Sequence, residues 1–293
     1  ASFDCVMGSS RVTTEQNNLL KMDSVEKTIA VNLKQKEFYN HKNKNLPSRF
    51  WSYIREKSLK KLRRELGILS QCYDLHKEWM GDLSHLKVLD LGCYEGNALS
   101  LYLAENSKAY IGIDLSDNGI KVLNTKLSHV PNARGEAVDF LSEEFRETDF
   151  DLIYAYGVLH HFKDVEMLAK KLSEKLKHGG KIIAYDPLKT SFPIWIIRSI
   201  YRPFQSDAAW EFPFGRKTLR ILNTHFQVLD KRGVMGISKY YFIVQFLPLP
   251  KSLKTRFGKK AHDLDWKKSA ESMKHLYLCM QVNLLLQKSN STA

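Results

Sequence analysis

Residues Lys87 to Gly96, Lys-Val-Leu-Asp-Leu-Gly-Cys-Tyr-Glu-Gly, run from an apolar strand pattern directly into a turn bounded by glycines. Eighteen residues after Gly96, a second apolar run, Ala109 to Asp114, ends in a carboxylate. A strand that breaks into such a turn, continues as a helix and returns as a strand tipped by an acid is a βαβ unit of the nucleoside-binding kind. The glycine spacing narrows the ligand. A dinucleotide turn needs G-x-G-x-x-G, because a pyrophosphate must approach bare backbone at a helix N-terminus. Here Cys93, Tyr94 and Glu95 fill the space between Gly92 and Gly96. Too few glycines remain for a pyrophosphate, so the pattern points to an adenosine-type cofactor without one.

The surrounding sequence repeats the alternation. Strands are predicted at Lys87 to Leu91, Ala109 to Asp114, Ala133 to Ala137, Leu152 to Tyr156 and Lys181 to Tyr185. Helices are predicted from the turn through Leu103, from about Asp117 to Leu127, and from Val165 to Leu176. Strands and helices alternating with short connections form a parallel, doubly wound sheet that gathers its ligands beyond the carboxyl ends of the strands. Asp90, Asp114, Asp139 and Asp186 all fall at or near such ends.

Val88 to Gly96 resembles the first motif of class I S-adenosylmethionine-dependent methyltransferases, with Tyr94 where that motif usually has a third glycine. Further segments match in the family's order. Asp114 stands where the family's acid binds both ribose hydroxyls. Gly135 to Phe140 resembles the third-strand loop, in which an acid and backbone groups read the adenine edge. Either Glu136 or Asp139 fits that acid, and register favours Glu136. Phe150 to Phe162, with its Leu-His-His-Phe turn, resembles the fourth strand and its exit, and Gly179 to Asp186 the fifth strand. The resemblance covers roughly residues 80 to 190 well and implies a Rossmann-like sheet of seven strands. It implies S-adenosylmethionine (SAM) as cofactor, held by Asp90, Gly92, Cys93, Gly96, Asp114 and Leu115 on one side. Glu136, Ala137, Val138, Asp139, Ala155 and Tyr156 complete the implied set. Cys93 takes a backbone role in it.

Outside this core the chain divides into a mobile arm at 1–30, an N-terminal helical cap at 31–80, and the catalytic domain at 81–290. Lid insertions are expected after the fifth and sixth strands, at about 187–215 and 235–276. Tyr39, in the cap, is placed to cover the cofactor, or else packs on the domain surface. Phe192 to Phe214 is far richer in aromatics than the 11% of the whole chain and is the expected acceptor lid, with Trp195, Trp210 and Glu211 as acceptor contacts. The sixth and seventh strands of this fold usually pair tightly, yet the last convincing strand here is Leu278 to Gln287. Tyr240 to Leu247 offers itself as an alternative seventh strand.

At 293 residues and 43% hydrophobic content, the chain can bury one substantial core. No apolar run reaches the roughly 18 residues of a spanning helix. The opening residues lack a basic stretch followed by an apolar core, so no secretion signal is expected. Four scattered cysteines form no C-x-x-C pair, which suits a reducing, cytoplasmic setting without disulfides or zinc. The net charge of +13 is uneven, with eleven Lys or Arg against two Glu between Lys34 and Arg64, and seven against two Asp between Lys251 and Lys268. Such patches attract polyanions or anionic headgroups, or simply solvate a helix face.

The turn after the fourth strand lacks the N/D-P-P-Y/F of methyltransferases acting on base amino groups, and no RNA-binding module is visible. Nucleic acid is therefore disfavoured. Leu-His-His-Phe resembles instead the small-molecule branch, the methyltransferase type 11 kind, which methylates quinones, sterols, polyketides and sugars. A lipophilic or amphiphilic acceptor methylated on oxygen or carbon is the expectation, with peripheral membrane contact through Tyr240 to Pro250 and the cations that follow. A protein or RNA methyltransferase and a non-catalytic SAM-fold scaffold are the rival readings. His161 is the candidate base, since an imidazole titrates near neutral pH. Asp186 or Glu211 is expected to orient an acceptor hydroxyl, or else Asp186 is a structural strand-end acid. His160 is expected to point into the fold, and no metal site is implied.

Overall fold

The computed structural model describes residues 31–288 except 33, 39, 41–44, 55–58 and 98. The arm predicted at 1–30 lies outside the described residues. Residues 31, 32, 34–38 and 40 are helical and form the N-terminal segment. It is followed by α1 (Leu46–Ile54), α2 (Lys61–Glu65) and α3 (Ile68–Met80), which lead into β1 (Lys87–Leu91). Alternation then proceeds through α4 (Ser100–Asn106), β2 (Ala109–Asp114), α5 (Asp117–Leu127), β3 (Ala133–Ala137), β4 (Phe150–Tyr156), α6 (Val165–Lys175) and β5 (Leu176–Pro187). After β5 come α7 (Phe192–Tyr201), α8 (Arg216–His225) and β6 (Phe226–Val234). The chain closes with α9 (Tyr241–Val244), α10 (Lys251–Glu271), α11 (Met273–Leu276) and β7 (Gln281–Lys288).

The strands form one seven-stranded sheet in the order β3-β2-β1-β4-β5-β7-β6. β1 to β5 are parallel, and β7 runs antiparallel to both β5 and β6. Val88, Leu89 and Leu91 are all buried, as expected of a parallel strand covered by helices on both faces. Leu75, Trp79 and Met80 of α3 join Val88, Tyr110 and Leu152 in one apolar cluster, so α3 packs on the sheet itself. Helix starts follow the local chemistry. The Ser116 hydroxyl accepts from the Gly119 amide at 3.1 Å and opens α5, and Asp164 does the same for Met167 at 3.0 Å and opens α6.

Two features of this topology position the site. β1, β2 and β4 end together, and their carboxyl ends form the crevice where the strand order reverses. β6, antiparallel to β7, runs in the same direction as β5, so the insertions after β5 and after β6 leave the sheet at that same end. The second insertion is closed at its base. Gln281 pairs with Val234, and the buried carboxylate of Asp265 accepts from the Ile237 and Ser238 amides at 2.7 and 2.8 Å and pairs with Nε2 of His275 at 2.9 Å. Tyr240 to Leu247 forms a short helix, Tyr241–Val244, followed by turns, and is not the seventh strand, because Gln281–Lys288 already fills the slot between β5 and β6.

Candidate active site

One cavity of about 470 Å³ opens at the carboxyl ends of β1, β2 and β4, within the size range of a small-molecule site. Gly92, Tyr94, Asp114, Leu115, Val138 and Asp139 line one part of it. His160, His161, Asp207 and Glu211 line another, and Asn32, Gln35 and Phe38 come in from the N-terminal helical segment.

The turn after β1 is built by close packing. Gly92 has φ +70°, and a Cβ there would fall 2.4 Å from a Val158 methyl, so glycine is required on both counts. Tyr94 takes φ +49°, the left-handed conformation that the family's glycine would supply. Its ring packs on α5, where a Cβ on Gly119 would come within 2.7 Å of it. The turn therefore keeps its shape with a tyrosine because α5 carries a glycine opposite.

Asp114 ends β2 with both oxygens engaged. Oδ1 accepts from the Ser116 amide at 2.9 Å and Oδ2 from the Tyr94 amide at 3.1 Å. Burial raises the Asp114 pKa above its ordinary value against the opposing pull of these amides. A carboxylate with two lone pairs per oxygen, held rigid at the rim of a cavity, is suited to a ribose diol. A Cβ added to Gly157, which also lines the cavity, would meet nothing within 4 Å, so open space reaches the backbone there. These residues fit a nucleoside cofactor.

The histidines form the other half. The His160 imidazole is buried, with Nδ1 2.8 Å from Asp186 Oδ1 and Nε2 3.4 Å from Glu211 Oε2. Burial alone would lower its pKa, but the two carboxylates outweigh it and push it up to about 9. His161 donates Nδ1–H to the Trp210 carbonyl at 2.9 Å, which leaves the lone pair of the neutral ring on Nε2. Burial, joined by repulsion from His160, draws its pKa down to about 4. Burial works to raise Glu211, yet the neighbouring His160 holds it down at about 2, an ionised carboxylate 4.0 Å from His161 Nδ1. His160, His161 and Glu211 are groups of metal-ligand type within 4.8 Å of one another, a cluster that fifty residues of intervening sequence conceal. A protonated His160 therefore bridges Asp186 and Glu211, one ring nitrogen to each.

Several expected residues lie elsewhere. Glu136 does not reach the cavity; it points along β3 to Arg134, at 2.6 Å, and Asp139 occupies the cavity wall instead, held at 2.5 Å by Asn32. Glu136 is still within the strand ladder, paired with Ile113, whereas Asp139 lies past its end. Asp186 is fully buried behind His160 and does not meet the cavity, so it orients the imidazole and not an acceptor. Asp90 is likewise buried, bonded to Ser100 and Tyr110 at 2.5 and 2.8 Å, and supports the turn from below. Cys93 is buried against Gly112, and Gly96, Ala137, Ala155 and Tyr156 do not line the cavity. Trp195 is 52% exposed on α7, away from the cavity. Trp210 is buried, edge-on to Phe38 at 5.4 Å, so it joins the N-terminal segment to the insertion after β5 without lining the cavity. Tyr39 lies outside the described residues. Asn32, Gln35 and Asp207 carried no sequence signal, since only the return of the chain places them here.

Comparison with known proteins identifies the family and the fold. The profile of the methyltransferase domain family matches residues 37–234, more than half of the chain. Phosphoethanolamine N-methyltransferase 1 of Triticum aestivum is 32% identical over 102 residues, which are 34% of this chain and 20% of that protein. Sterol 4-C-methyltransferase strm-1 of Caenorhabditis elegans is 26% identical over 149 residues, 50% of this chain and 41% of that protein. The chain thus spans less than half the length of these curated relatives. Among solved structures, the YcgJ protein of Bacillus subtilis superposes with a TM-score of 0.51 at 16% identity, covering 75% of this chain and 98% of its own, a likeness of fold. This chain belongs to the methyltransferase domain family, whose methyl donor is S-adenosylmethionine.

Proposed function

We propose that the chain binds SAM in the cavity beyond β1 and β2 and transfers its methyl group to a small, lipophilic or amphiphilic acceptor, on oxygen or carbon. The observation that carries this reading is that one cavity takes in both Asp114 and the His161–Glu211 pair. When bound, SAM supplies a methyl carbon already activated by a sulfonium charge. The chain's own residues then have two tasks, alignment and proton removal. Asp114 would hold the ribose diol, and Asp139, past the end of β3, would meet the adenine edge. His161, neutral with its lone pair on Nε2, accepts the acceptor's hydroxyl proton, and the ionised Glu211 stabilises the imidazolium that results. His160 holds Glu211, and Asp186 holds His160.

The insertions after β5 and β6 are read as the acceptor lid, with Trp210 anchoring it to the N-terminal segment. The relatives, one acting on phosphoethanolamine and one on a sterol by name, support an acceptor of lipid or headgroup chemistry. Peripheral membrane contact belongs to the same reading, and among the described residues no helix is long and apolar enough to cross a membrane. Calorimetric titration with SAM tests the cofactor half. Radiolabelled methyl transfer into a whole-cell extract, partitioned into lipid, aqueous, protein and RNA fractions, tests the acceptor half. Label confined to the protein or RNA fraction would replace the small-molecule reading, and absence of SAM binding would leave a scaffold.

A further inference from the structure

The helical insertions at the site end of the sheet expose an unusual amount of apolar surface. On the second insertion, Phe242, Ile243, Phe246 and Leu247 around α9, and Leu253 and Phe257 on α10, are all exposed, Phe246 by 75%. α7 has the sequence Phe-Pro-Ile-Trp-Ile-Ile-Arg-Ser-Ile-Tyr, and Ile194 is its one buried side chain; Phe192 is 70% and Ile200 68% exposed. α1 sits beside α7, with the Ser48 hydroxyl 3.2 Å from that of Tyr201, and adds Phe50. Patches of this extent mark an interaction surface.

Charge selects the occupant. From Lys239 to His262 the sequence contains six Lys or Arg and not one Asp or Glu. Lys189 to Ser206, around α7, holds three Lys or Arg and again no acid. Lys251, Arg256, Lys259 and Lys260 are exposed on α10 alongside the apolar side chains. A second copy of this chain would set these cations against each other. Bulky apolar side chains rimmed by cations match a bilayer with anionic headgroups, where the rings enter the acyl boundary and the cations stay with the phosphates.

We infer that α7, α9 and the first half of α10 form a docking face for an anionic lipid bilayer, which presents the cavity at the same end of the sheet to acceptors dissolved in that bilayer. The inference extends the lipophilic-acceptor reading proposed above, and its test reads docking independently of catalysis. Wild-type protein is floated with phosphatidylcholine vesicles containing about a third phosphatidylglycerol, and with phosphatidylcholine alone, across a salt series. Binding is expected to the anionic vesicles, weakening with salt. The exposed pair Phe242→Ser and Phe246→Ser together should lower partitioning at least tenfold, since each ring loses its apolar contact. Lys259→Gln and Lys260→Gln should each lower it about fivefold. Calorimetric SAM affinity of every variant reports that the fold is intact. Vesicles carrying brominated acyl chains should quench tryptophan fluorescence, less so in Trp195→Phe. Equal indifference to both vesicle types overturns the inference, as does wild-type partitioning by the double phenylalanine variant. A wild-type dimer that dissociates in that variant would assign the face to a second copy instead. Failure of SAM binding with docking intact would refute the proposed activity alone.

Discussion

The Nδ1–H of His161 donates to the carbonyl oxygen of Trp210 at 2.9 Å, joining the exit of β4 to the insertion after β5, forty-nine residues on. That bond selects the tautomer with its lone pair on Nε2, the form a base requires. With a hydroxyl acceptor, His161→Ala should lower turnover by about 10²-fold or more and leave SAM affinity nearly unchanged. Because the pKa of His161 is drawn down to about 4, its base form persists through neutral pH. The acidic limb of the rate profile should therefore lie near 4, below the ordinary imidazole range, and disappear in the variant. Wild-type turnover by His161→Ala at saturating acceptor would discard the assignment.

Asp114→Ala should weaken SAM binding at least tenfold, since hydrogen bonds to a charged group contribute about 1.5 to 3 kcal/mol each. Asp114→Asn should be milder. Titration calorimetry on the folded variants decides the matter, and unchanged affinity would remove Asp114 from the cofactor site.

The two tryptophans of the first insertion should part company. Trp210 is buried against Phe38, so Trp210→Ala should cost about 3 to 5 kcal/mol of stability, seen as a lowered melting temperature. Trp195 is half exposed, and Trp195→Ala should leave both melting temperature and SAM affinity close to wild type. A reversed pattern would contradict the packing described.

Tyr94 and Gly119 should be energetically coupled. A Cβ at position 119 falls 2.7 Å from the Tyr94 ring, so Gly119→Ala should destabilise by about 1 to 3 kcal/mol through overpacking. Tyr94→Gly should recover much of that loss in a double-mutant cycle. Strict additivity would mean the ring does not pack there.

His160 should give stability a basic limit. Its pKa is raised from 6.5 to about 9, so the folded state binds a proton the unfolded chain has released. The stabilisation is complete below 6.5 and lost as pH rises through about 9. His161 acts in the opposite sense, since a folded pKa of about 4 makes stability fall as pH drops from 6.5 toward that value. Melting curves of wild type and His160→Gln should separate below pH 6.5 and converge above about 9. Parallel curves across that window would show His160 to be neutral.

The sequence alone determined the alternating sheet, the turn at Gly92 and the acid at Asp114, because these are local. A strand period, a glycine turn and a strand-end carboxylate are written within a few residues of each other, and one βαβ unit places them on one crevice. Which of Glu136 and Asp139 reaches the cavity is also local, but it turns on where β3 stops, and that is set by the ladder with β2. The His160–Asp186–Glu211 bridge belongs wholly to tertiary structure. Its members come from the exit of β4, the end of β5 and the insertion that follows it, and no spacing along the chain relates them. The same holds for Asn32 and Phe38, which reach the cavity only because the N-terminal segment folds across it. Trp195 and Trp210 carry equal hydrophobicity in a shared aromatic run, yet one faces solvent and one is buried. Composition records that an aromatic is present; the direction in which each backbone position points, set by α7 and by the Phe38 contact, decides what it does.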